Sequence, residues 1–212
     1  MLNPPPSAPV EAISDEARAD SLKKTMASRP EGEPVRVFAY GSLLWDPCFE
    51  FTSKRPARLP GWIRRTCLWT VHARGSLECP GLFYGLDADP KRACDGAVYA
   101  LSARSLDEGL DRLWRREMHA GVYEPRWLDL ETEGVTTRAL TFVVNRDHPQ
   151  YTGPIDLETA ADYIAHAHGK FGSCLEYYTA TRASLRAEGL KDPEIEVLLA
   201  RIEARASNLE AR

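Results

Sequence analysis

The hydrophobic positions change their period along the chain. Up to Val144 they come mostly in short runs suited to strands, and from Asp156 onward they read as helices. Val35 to Tyr40 predicts a short strand and Trp62 to Ala73 a longer one with some alternation. Gly81 to Leu86 and Gly96 to Leu101 predict two more. Pro60-Gly61, Pro80-Gly81 and Asp87 to Arg92 supply turn chemistry between them. Val122 to Leu130 and Thr137 to Val144 form a further strand pair, split by Glu133-Gly134. The C-terminal helices break near Gly169 to Gly172, at Gly189 and at Pro193, the last suiting a first helical turn.

Ahead of the strands, Ser14-Asp15-Glu16 predicts a helix start, with a capping serine and acids in the first turn, running to about Ala27. Met1 to Ala12, with four prolines, predicts a mobile tail, and Arg29 to Pro34 a linker. The organisation expected is therefore an N-terminal tail, short helix and linker over 1–34, then a single domain over 35–212 with a helical C-terminus. No internal repeat is visible. Strands first and helices last, with one helix inserted, predict an α+β fold.

The inserted helix, Ser105 to Met118, carries the sharpest local signal. Leu106, Leu110, Leu113 and Trp114 fall within one arc of roughly 100°. Asp107, Glu108, Asp111, Arg112, Arg115 and Arg116 fall outside it. Glu117 does not follow the division: it sits about 20° from Leu106, inside the apolar stripe. An inward carboxylate is costly unless it is hydrogen-bonded, paired or protonated, and desolvation raises its pKa toward the range useful for acid–base work. Two readings stay open from periodicity alone. Glu117 is a buried acid–base group, or it turns to solvent at a fraying helix end and pairs with Arg115 or Arg126.

A second signal is Val37-Phe38-Ala39-Tyr40-Gly41-Ser42-Leu43-Leu44-Trp45, an apolar strand running directly into Gly-Ser. Gly41 lets the backbone turn sharply and approach a ligand, and successive N–H groups in such a turn can bind a carboxylate or a developing oxyanion. The plain alternative is a strand-to-loop turn with Tyr40 and Trp45 in the core. Ser42 has no Gly-x-Ser-x-Gly around it. There is no Gly-x-x-x-x-Gly-Lys, no Gly-x-Gly-x-x-Gly and no paired Cys-x-x-Cys. His166 and His168, two apart, are read as ordinary helix residues on nearly opposite faces. An enzyme with this sequence is expected to use one carboxylate and a backbone cradle, with no metal and no cofactor.

Composition narrows the setting. The 212 residues carry 27 Lys and Arg against 31 Asp and Glu, a formal net charge of −4, which argues against a nucleic-acid groove. No apolar run approaches the roughly 20 residues of a membrane span. The N-terminus lacks a basic-then-apolar export pattern, so the five cysteines are expected as free thiols in a reducing cytoplasm.

Taken together, these segments carry a resemblance. Phe38 to Trp45 resembles the Tyr-Gly-Ser-Leu signature of the γ-glutamylcyclotransferase-like superfamily, and Trp45 with Pro47 resembles its ChaC branch, the glutathione-specific γ-glutamylcyclotransferases. His72 to Gly81 is similar to that branch's Arg-Gly-Thr-Pro-Glu-x-Pro-Gly segment. Leu113 to Met118 with Gly121 and Tyr123 is similar to its Arg-Glu segment before Gly-Tyr. Tyr151 to Pro154 and Gly172 to Tyr177 follow in order, so the resemblance spans roughly Val35 to Gly189. Ser76 and Leu77 depart from the usual Thr-Pro, and Ser173 stands where Asn is usual.

The resemblance implies a small mixed β-barrel flanked by helices. It implies a cofactor-independent lyase acting on a small molecule, glutathione, by cyclising the γ-glutamyl group to 5-oxoproline and releasing Cys-Gly. It makes Glu117 the catalytic acid/base and gives Tyr40, Gly41, Ser42, Leu43, Leu44 and Trp45 the task of holding the γ-glutamyl group. Arg74 is a candidate anion contact or else a surface arginine. Tyr151 either hydrogen-bonds near the site or packs. A cyclotransferase for another γ-glutamyl amine and a non-catalytic γ-glutamyl-binding domain are the alternatives, and the oligomeric state stays open.

Overall fold

A computed structural model describes residues 2–210, with side chains through 205. Five strands close a barrel: β1 (Arg36–Ala39), β2 (Phe51–Thr70), β3 (Gly81–Leu101), β4 (Tyr123–Thr132) and β5 (Val135–Val144). Their order is β1-β3-β2-β4-β5, and a parallel contact of β5 with β1, Val37 opposite Leu140, completes the closure. The other main pairings are antiparallel, so the barrel is mixed as expected. Glu133 and Gly134 both take positive φ (50° and 78°), the requirement of a tight hairpin between β4 and β5.

Strand limits differ from the sequence pattern in two places. Pro60-Gly61 is not a turn between elements but an irregularity inside β2, where the pairing with β3 shifts register between Pro60 and Trp62. Asp87 to Arg92 does not separate two strands either: β3 continues through it, with Asp89 to Arg92 bulged out between the pairs Trp62–Ala88 and Pro60–Ala93. The bulge lifts these residues off the barrel, leaving Ala88 and Pro90 to Arg92 exposed, which suits their polar character.

Helix α1 (Asp15–Ala27) begins where expected, with the Ser14 hydroxyl accepting from the Ala17 N–H. Helix α2 (Leu106–Glu117) buries Leu110, Leu113 and Trp114 on the barrel, and Trp114 meets Phe142 of β5 edge-on at 5.4 Å. Helices α3 (Leu157–His166), α4 (Cys174–Ala187) and α5 (Pro193–Glu210) follow, and Ile195, Leu198, Leu199 and Ile202 of α5 are buried in the same core. His168 is not helical: it begins a two-stranded ribbon of β6 (His168–Gly169) and β7 (Gly172–Ser173). The expected mobile tail is corrected at Asn3, which is docked on the barrel. Asn3 donates from its backbone to Thr152 (2.7 Å), donates from its side chain to the Tyr151 carbonyl (2.9 Å), and accepts from the Trp69 indole (3.0 Å). Met1 lies outside the described residues.

Candidate active site

Helix α2 delivers Glu117 at its last residue, where the chain turns toward β4. The apolar stripe fixes the rotation of the helix, so the carboxylate points inward with its side chain 13% exposed. Burial raises its pKa above the ordinary carboxylate value, and the Arg116 charge, 3.4 Å away, opposes that only in part. Neither Arg115 nor Arg126 is the ion partner: Arg115 pairs with Asp111 and Arg126 with Glu124.

The Tyr40–Trp45 loop is built from the end of β1. Leu43 and Leu44 are buried, and the Tyr99 hydroxyl reaches both of their carbonyls (3.1 and 3.2 Å). Leu44, Trp45 and Asp46 send their N–H groups back to the carbonyls of Gly41 and Ser42. The N–H groups of Gly41, Ser42 and Leu43, at the head of this turn, have no acceptor among the described residues. That is the donor arrangement an anion or a developing oxyanion needs. Among the described residues no histidine hydrogen-bonds Ser42, so a serine nucleophile with its base is not assembled among them. Arg116 locks the two parts together, donating to the Asp46 carbonyl (2.6 Å) and carboxylate (3.0 Å) just past the loop.

Three phenols lie within reach of the carboxylate's charge. Tyr40, Tyr123 and Tyr177 all have pKa values pushed up, first by burial and then, among other charges, by Glu117. Their hydroxyl protons are committed differently. Tyr40 donates to the Phe142 carbonyl (2.8 Å) and Tyr123 to the Tyr84 carbonyl (3.0 Å). The Tyr177 oxygen instead accepts from the Tyr84 N–H (3.4 Å), and its proton has no acceptor among the described residues. A Cβ added at Gly41 would stand 3.1 Å from that oxygen, so the hydroxyl lies against the head of the turn. Tyr177 is therefore a donor free for a ligand. Exchanging it for Phe is expected to lower kcat/KM for a bound anion or oxyanion by about tenfold to a hundredfold, the weight of one hydrogen bond to a charged group; steady-state kinetics check this.

The remaining candidates divide. Trp45 meets Tyr177 edge-on at 6.3 Å and donates to Thr181 (3.4 Å). The Arg74 guanidinium lies 5.8 Å from the Trp45 ring centre and 3.4 Å from Glu176, so it borders the loop rather than standing free on the surface. Tyr151 stands apart, its hydroxyl 3.4 Å from Asp87 in a cluster with Arg65 and Arg146. Ser173, the departure from the usual Asn, caps α4 reciprocally with Glu176, a position either residue suits. Two surface grooves, of about 390 and 620 Å³, lie elsewhere on the barrel and are lined by none of these residues. Sequence reasoning did not single out Tyr123 and Tyr177 as functional, because buried tyrosines on a strand and a helix read as core. Among the described residues no three His, Cys, Asp or Glu side chains form a metal-holding group, and no helix is long and apolar enough to cross a membrane.

The closed five-strand barrel flanked by helices has the γ-glutamylcyclotransferase-like fold. A selenomethionine-labelled γ-glutamyl cyclotransferase specific to glutathione from yeast superposes with a TM-score of 0.75 over 82% of this chain and 97% of that one, at 20% identity. Residues 35–205 match the ChaC-like protein family, and the chain belongs to that family. A glutathione-specific γ-glutamylcyclotransferase of Escherichia coli (strain K12) is 36% identical over 187 residues, covering 88% of this chain and 80% of the relative. Glutathione-specific γ-glutamylcyclotransferase 1 of Danio rerio is 30% identical over 144 residues, 66% of this chain and 74% of that protein.

Proposed function

We propose that this protein degrades glutathione by intramolecular cyclisation of its γ-glutamyl group, releasing 5-oxoproline and Cys-Gly. The observation that carries the reading is Glu117, largely buried and raising the pKa of three phenols, one of which, Tyr177, lies against a turn of unused N–H donors. The named activities of the relatives in Escherichia coli and Danio rerio support the choice of substrate.

In this reaction the substrate's α-amine attacks its own γ-carbonyl carbon, forming the lactam C–N bond as the bond to the cysteinyl nitrogen breaks. The nucleophile belongs to the substrate, which accounts for a site with no serine–histidine pair. Glu117 takes the proton from the attacking amine and returns it to the leaving nitrogen, so one carboxylate of raised pKa serves both steps. Charge developing on the carbonyl oxygen and the fixed charge of the α-carboxylate need donors. The Gly41, Ser42 and Leu43 N–H groups and the Tyr177 hydroxyl are those donors. Holding the extended substrate folded back on itself supplies on the order of several kcal/mol toward the barrier. The reaction consumes no cofactor. All five cysteines are free thiols, which suits a reducing cytoplasm, where this substrate is at home.

The test is a panel of γ-glutamyl amines ranked by kcat/KM. Glutathione is expected to lead, and a higher value for another γ-glutamyl amine would reassign the substrate while keeping the chemistry.

A further inference from the structure

The segment before Val35 lies outside the family match, yet it is bonded to three tryptophans of the barrel and α2. The indole N–H of Trp69 donates to the Asn3 carbonyl (3.0 Å), that of Trp114 to the Ser21 hydroxyl (3.2 Å), and that of Trp127 to the Thr25 carbonyl (2.9 Å). Without the segment, three largely buried donors would lose their acceptors, an unfavourable state where water cannot replace them.

Two of its contacts bracket Glu117. Trp114, one turn before it on α2, is held by Ser21. The His119 carbonyl, two residues after it, accepts from the Ile13 N–H at 2.9 Å. Leu22 and Met26 of α1 pack on the core, and Thr25 is buried. The rest of α1, with Asp15, Glu16, Asp20, Lys23 and Lys24, is polar. A 13-residue helix of this composition is marginal alone. It holds its place through the docked face.

We propose that residues 2–28 are a positioning brace for Glu117. By fixing α2 one turn before the carboxylate and the chain just after it, the segment keeps that group buried and aimed at the Gly41 turn, so turnover depends on its docking. This rests on the assignment of Glu117 as the acid/base. The residues of the brace touch neither substrate nor reacting atoms and act through Glu117.

The test uses the full chain with Leu22→Glu/Met26→Glu, which sets two charges on the docked face of α1, and with Ser21→Ala, which removes only one hydroxyl and spares folding. Glutathione turnover is measured against pH. In the double variant kcat is expected to fall at least tenfold with KM within about twofold. The acid limb of its kcat–pH profile should move down toward an ordinary carboxylate as water reaches Glu117. Ser21→Ala should shift both in the same direction by a few-fold, and Leu22→Met/Met26→Leu should restore them. Unchanged kcat and pH profile in Ser21→Ala and in whichever double variant folds would overturn the brace. Glu117→Gln, run alongside, separates the two ideas: if it keeps full turnover the acid/base assignment fails, and if it is inactive while the brace variants are normal only the brace fails.

Discussion

Replacing Glu117 by Gln is expected to lower kcat by about 10²–10⁴-fold, the usual weight of a positioned acid–base group, and to leave the barrel folded. Gln has nearly the same shape and cannot carry the proton. The same exchange is expected to stabilise the protein near neutrality. Burial raises the carboxyl pKa in the folded state above the ordinary 4.5, so the folded chain holds this proton more tightly than the unfolded chain. Stability of the parent therefore falls as pH rises from the ordinary value through the raised one, and stays reduced above it. Gln bears no such penalty. Melts at pH 4 and pH 7 should show the variant gaining on the parent at the higher pH. Turnover of the parent should rise with pH through the raised pKa, as the base form appears.

The largest stability loss is expected from Asp192→Ala. Arg64 is a buried arginine, its side chain 2% exposed, that donates to the Tyr40 carbonyl, to the Asp95 carbonyl and to the Asp192 carboxylate. It joins the end of β1, which carries the Gly41 turn, to the start of α5. Asp192 also accepts from the Glu194 and Ile195 N–H groups (3.0 and 3.2 Å), which begin α5. Removing the carboxylate strands a buried guanidinium and uncaps a helix. Breaking a buried pair costs about 3–5 kcal/mol, and the 20% exposure of Asp192 places this case near the lower end. A loss of about 3 kcal/mol corresponds to a fall in Tm of roughly 6–12 °C for a chain this long. Asp192→Asn keeps an acceptor for the cap and should lose less. Scanning calorimetry of the two variants measures both.

These expectations draw unequally on what the sequence shows. Glu117 was legible because a helix has a sharp period, and one charge in the apolar stripe stands out against six outside it. The Gly41 turn was legible as a turn, but its unused N–H groups are a matter of which carbonyls the chain brings back. Helix α1 and the hairpin at Glu133-Gly134 follow from capping and turn chemistry, which are local. Asp87 to Arg92 misleads because polarity marks exposure, and a bulge within a continuous strand is as exposed as a turn. Tyr123 and Tyr177 carry no local mark. Their place near Glu117 comes from closure of the barrel, which brings β4 and α4 within reach of its charge. The docking of Asn3 is likewise invisible, since two of its three bonds use backbone groups that every residue has.

In the proposed reaction the substrate's own amine, and not water, takes the γ-carbonyl carbon from the cysteinyl nitrogen. Turnover of glutathione in ¹⁸O-labelled water, with products resolved by mass spectrometry, tests it most directly. 5-Oxoproline and Cys-Gly are expected in equal amounts, with no solvent oxygen in either as released. Glutamate bearing ¹⁸O, or glutathione left unconsumed by the folded protein, would contradict it.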